Sequence, residues 1–139
     1  MQEINLERQT IAAVATAVAP GQGGIAVIRL SGPDAQRAVS EITCFPGAQL
    51  WESHRVLYGH VMAADGVERL DEVLVLLMLA PRSFTAEDVV EIHCHGGVMA
   101  VQRVMARVLE QPGMRRALPG EFSQSCLLYT SDAADEWWG

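Results

Sequence analysis

The chain has 139 residues, half of them hydrophobic, with 17 acidic residues against ten basic ones and a formal net charge of −7. That is enough chain for one domain with a packed core, and the negative balance argues against a free-standing nucleic-acid binder held by phosphate contacts. Every basic residue is Arg. The Lys that a G-x-x-x-x-G-K-[ST] phosphate loop requires is therefore missing, which excludes nucleotide binding of that kind.

Thr10 to Thr16, rich in Ile, Val, Ala and Thr, reads as a first strand after a loose polar end at 1–9. Pro20 to Gly24 is a glycine loop, and Ile25 to Leu30 is a second strand. A helix is expected next, with Pro33 near its first position and Asp34 in its first turn. Its core face carries Ala35, Ala38, Val39 and Ile42. Thr43 to Ser53 reads as loop. Arg55 to Met62 and Leu70 to Leu79 read as a hairpin turning through Asp65-Gly66. Glu87 and Asp88 are expected to cap the loop before the next strand, Val89 to His95. A second helix has its apolar stripe at Val98, Val101, Val104, Met105 and Val108, which reads as core, and stops at Gln111-Pro112-Gly113. Pro119-Gly120 marks a turn that Glu121 is expected to stabilise, a role in the site being the alternative. The order ββα-βββα predicts an α+β fold, a mixed sheet with helices packed on it.

The strand from Val89 to His95 is the most informative segment. Alternate residues of a strand share a face, so Val89, Glu91, His93 and His95 point one way and Val90, Ile92 and Cys94 the other. A carboxylate and two imidazoles on such a strand are costly to bury unless paired. With Gly96-Gly97 opening the next helix, the segment reads as a small-molecule site. The same alternation separates Cys94 from both His residues, which argues against a metal site built from His93, Cys94 and His95. Taken alone, Glu91 is equally compatible with a structural ion pair, and Arg29 at a strand end with a solvated charge. Cys44, Cys94 and Cys126 are odd in number and form no C-x-x-C pair. With no signal peptide visible, they read as reduced thiols of a cytoplasmic protein. The longest apolar run, Val73 to Ala80, is far short of the roughly 20 residues that span a bilayer.

The segment Cys126 to Glu136 reads as the conceptual translation of a transposon-end sequencing adapter, so 126–139 is expected to be a non-native tail; the other reading is a native C-terminal helix. Without Asp132, Asp135 and Glu136 the net charge is −4.

Thr10-Ile-Ala-Ala-Val-Ala-Thr16, Pro20 to Gly32, Phe84 to Gly97 and Pro119-Gly-Glu-Phe-Ser123, in this order and spacing, closely resemble the N-terminal domain of the MnmE/TrmE family of tRNA-modification GTPases. The resemblance implies a domain at 10–125, between a flexible end at 1–9 and the tail. It also implies a fold similar to the folate-binding fold of aminomethyltransferases. The family's domain forms a homodimer and binds a one-carbon tetrahydrofolate, as the 5,10-methylene or 5-formyl derivative. Whole members hydrolyse GTP with Mg2+ and K+ and act with the flavoprotein MnmG on the wobble uridine of tRNA. None of that catalytic apparatus lies in this sequence. The family's folate-contacting Arg and Glu match Arg29 and Glu91. Gly23, Gly24, His93 and His95 are expected beside the pocket, and no catalytic residue or metal ligand is expected. A third family contact, a Lys, has no counterpart. Two other readings are a stand-alone folate-dependent one-carbon transferase and a dimerisation domain without a ligand.

Overall fold

In a computed structural model the described residues are 9–15, 26–79 and 87–122. These residues form β1 (Thr10–Val14), β2 (Ala26–Ser31), α1 (Ala35–Ile42), β3 (Thr43–Cys44), β4 (Val56–Met62), β5 (Arg69–Met78), β6 (Val89–Cys94), α2 (Gly97–Leu109) and β7 (Met114–Arg116). The strands make one seven-stranded sheet in the order β3-β4-β5-β6-β2-β1-β7. All neighbours are antiparallel except β1 and β7, so the sheet is mixed and the fold α+β.

Both helices pack on one face. Ala38, Val39 and Ile42 of α1 and Val101, Val104, Met105 and Val108 of α2 are buried there. They meet alternate strand residues: Ile28 and Leu30 of β2, Val73, Val75 and Leu77 of β5, Val90 and Ile92 of β6. Each large side chain so buried contributes roughly 1.5–3 kcal/mol. Strand parity sends the intervening residues, Arg29 and Glu91 among them, to the opposite face.

The β4–β5 hairpin turns where expected. Asp65 Oδ1 accepts the backbone N–H of Val67 at 2.8 Å and of Glu68 at 3.0 Å, and Gly66 supplies a φ of 73°. Four details differ from the expectation. Asp34 is the residue ahead of α1, so Pro33 lies outside the helix. Thr43 and Cys44, expected as loop, pair with Val61 and His60 of β4. Val98 is 56% exposed, and Ala100 is buried instead. The strand β7 carries no apolar alternation and is created by parallel pairing with β1.

Candidate functional site

Arg29 and Glu91 sit directly opposite each other on β2 and β6, near the middle of the sheet. Sixty-two residues separate them in the chain. Arg29 Nε and Nη2 both donate to Glu91 Oε2, at 2.8 and 2.5 Å. His93 Nε2 donates to Glu91 Oε1 at 3.1 Å. Arg29 is 8% exposed and Glu91 7%, so the pair is shielded from solvent. Burial opposes the carboxylate's charge. The hydrogen bonds from His93 and Arg29, with their positive charge, outweigh it and hold the Glu91 pKa below the usual glutamate range. The polar face expected on the Val89–His95 segment therefore exists as a compact Arg–Glu–His cluster.

Beside this cluster lies an open cavity of about 300 Å³. One side is formed by Ala13, Val14, Ala15 and the Arg29 side chain, the other by residues 117–122. Glu91 stands behind Arg29 rather than in the cavity wall. His93 lines a smaller apolar groove with Val56, Leu74 and Leu76 on the same sheet face. His95 does not join the cluster by a hydrogen bond; its Nδ1 donates to the Glu72 carbonyl at 3.0 Å. Gly23 and Gly24 lie outside the described residues.

The Gly96-Gly97 turn is occupied from within. Asp71 Oδ2, reaching from β5, accepts the backbone N–H of His95 at 2.8 Å and of Gly96 at 3.2 Å. A carboxylate there also suits the positive end of the α2 dipole. A Cβ on Gly96 would meet the Ala100 Cβ at 2.5 Å and Asp71 at 3.0 Å, and Gly97 has φ 81°. Both glycines are thus required by packing and backbone conformation. Cys94 faces the helix-covered core, where burial first and the Asp71 charge second push its thiol pKa up to about 12. It is protonated and not nucleophilic. Among the described residues, no three His, Cys, Asp or Glu side chains are grouped to hold a metal ion. No described helix is long and apolar enough to cross a membrane.

Sequence reading missed the role of Arg115. Its Nη1 and Nη2 donate to the two carboxylate oxygens of Glu121, at 2.8 and 2.5 Å, and its Nε donates to Gln9 Oε1 at 3.0 Å. Glu121 Oε1 also accepts the Leu118 N–H at 2.8 Å, so Glu121 does stabilise the Pro119-Gly120 turn. The Arg115 bond leads in lowering the Glu121 pKa. The signal for this pair was a Glu two residues past Pro119 and an Arg six residues before it, a pattern with no meaning until β7 is placed.

Fold and site define an α+β domain with helices on one sheet face and a buried ion-paired cluster beside a cavity on the other. The sequence matches the family described as GTP-binding protein TrmE N-terminus over residues 10–129, and the chain belongs to that family. It is 80% identical over 128 residues to the tRNA modification GTPase MnmE of Synechococcus sp. (strain WH7803), covering 92% of this chain and 28% of the relative. It is 82% identical over 119 residues to the protein of that name from Synechococcus sp. (strain CC9311), covering 86% and 26%. The protein of that name from Prochlorococcus marinus (strain MIT 9303) is 74% identical over 121 residues, covering 87% and 26%. The chain thus spans little more than a quarter of the length of these relatives.

Proposed function

We propose that this chain is the folate-binding and dimerising module of a cytoplasmic tRNA-modification GTPase, with Arg29 and Glu91 as its ligand contacts. The observation that carries the reading is the Arg29–Glu91 pair opposed across β2 and β6, with Arg29 in the wall of the 300 Å³ cavity, in a chain of the TrmE N-terminal family. The Arg29 fork borders the cavity directly, and Glu91 becomes a contact for a reduced folate once Arg29 moves aside. A pterin offers an amino group and a ring N–H side by side, which a carboxylate such as Glu91 accepts with two hydrogen bonds. The glutamate tail offers carboxylates that the Arg29 fork can grip. A cavity of this volume is at the small end for such ligands. When bound, the folate supplies a one-carbon unit. The protein's part is to bind and orient it.

Both Glu91 oxygens already accept hydrogen bonds, so the ligand must share or displace donors from Arg29 and His93. The exposed Val56 and Tyr58, beside Leu74 and Leu76 on the face without helices, suit a second copy of the chain. GTP hydrolysis with Mg2+ and K+, and action with MnmG on tRNA, belong in this reading to the part of the longer relatives that this chain does not match. The segment 126–139 is in this reading a non-native tail, and a native continuation carrying a Lys would add about 1.5–3 kcal/mol of charge-assisted contact to the ligand.

Calorimetric titration with 5-formyltetrahydrofolate tests the reading. Saturable binding to the unchanged chain, lost in R29A and E91Q variants that still melt cooperatively, is the expected result. A second reading, a dimerisation domain without a ligand, is favoured by the mutual satisfaction of Arg29 and Glu91. A chain that sediments as a dimer and gives no heat with the folate decides for it.

A further inference from the structure

We infer that Arg115 and Glu121 are positioning residues for the cavity beside Arg29, holding the 117–122 turn in place as its outer wall. The inference rests on that cavity being the ligand site.

Pairing places Arg115 on the right face. Ile11 is opposite both Ser31 on β2 and Arg115 on β7, and Ala13 is opposite Arg29. Residues 11, 13, 29 and 115 therefore share the face away from the helices. From there the Arg115 fork reaches the Glu121 carboxylate. The turn has little apolar anchorage of its own: Leu118 is 66% exposed, and Pro119 and Gly120 are exposed too. It is tied at its start by the Ala117 N–H donating to the Ala12 carbonyl at 2.8 Å. At its end it is tied by Glu121, which binds Arg115 with both oxygens and takes the Leu118 N–H. The fork-to-fork geometry fixes direction as well as distance. Releasing it frees the wall that faces Ala13, Ala15 and Arg29. Loss of that register lowers affinity without touching either proposed ligand contact, because a site about 1 Å too loose binds and orients poorly.

The experiment titrates 5-formyltetrahydrofolate into the 139-residue chain and into E121A, E121Q and R115K, with a thermal melt and amide exchange at Ala117 and Leu118 for each. The expected result is about tenfold weaker binding by E121A, or about 1.4 kcal/mol. E121Q, which keeps an acceptor for Leu118 and for one Arg115 N–H, should recover part of that loss, and R115K should fall between. Exchange should quicken at Leu118 while melting temperatures change little. If the unchanged chain binds and E121A binds equally well with its Leu118 amide released, the positioning role is overturned and the ligand site stands. If the unchanged chain does not bind, the ligand reading falls and takes this inference with it.

Discussion

Two doubly hydrogen-bonded Arg–Glu pairs stand on the same sheet face and differ in almost everything else. Arg29 and Glu91 are 62 residues apart, centred on the sheet, with side chains only 10% exposed. Arg115 and Glu121 are six residues apart, at the sheet edge, with side chains 23% and 22% exposed. Similar chemistry therefore carries different energies. The central pair is held under cover, its side chains nearly out of reach of solvent although Arg29 also borders the open cavity. The edge pair restrains a turn and can be solvated when broken. The comparison teaches that ion-pair geometry says where a group is held, whereas burial says what its loss costs.

The largest effect expected is from breaking the central pair on one side. R29A or E91A should lose up to about 3–5 kcal/mol in a urea denaturation, because each breaks a shielded ion pair on one side. Replacing both, as R29M/E91L, should restore most of that loss; a double variant as unstable as the singles would show that the pair contributes more than charge cancellation. Acid should weaken both pairs. Glu91 has a folded pKa below its unfolded value. Its stabilisation is therefore complete above the ordinary glutamate value, about 4.3, and is lost as pH falls through the folded value. Thermal melts of the unchanged chain should decline with acid in that window, and E91Q should lack most of this component. Glu121 shifts in the same direction, and E121Q should remove its own part of the acid loss.

Asp71 separates distance from burial as the cause. It bonds His95 and Gly96 from 24 and 25 residues away, yet is only half-buried. D71A should cost about 1 kcal/mol, the size of a lost helix cap, measured by denaturant midpoint. A cost matching E91A would mean that chain separation matters more than exposure. The smallest effect is expected at the edge: E121A should cost no more than about 1 kcal/mol in the same assay, even where it alters the turn.

Much of this molecule is legible residue by residue. The alternation of Val89 to Cys94 assigns Glu91 and His93 to one face and Ile92 and Cys94 to the other. The Asp65-Gly66 turn closes the hairpin by local hydrogen bonds. Ala38, Val39 and Ile42 name the buried stripe of α1. The four motif segments were specific enough to carry the family, which the match over 10–129 then establishes.

What the sequence determined by itself was periodicity, turns and family, because each depends on neighbours a few residues apart or on a linear pattern. Only the tertiary structure decided partners. That Arg29 meets Glu91, that Asp71 fills the Gly96-Gly97 turn rather than leaving it to a ligand, and that Met114–Arg116 becomes a strand all follow from register between distant segments. Register is chosen by the burial of a whole face at once, and no local window of sequence contains that choice.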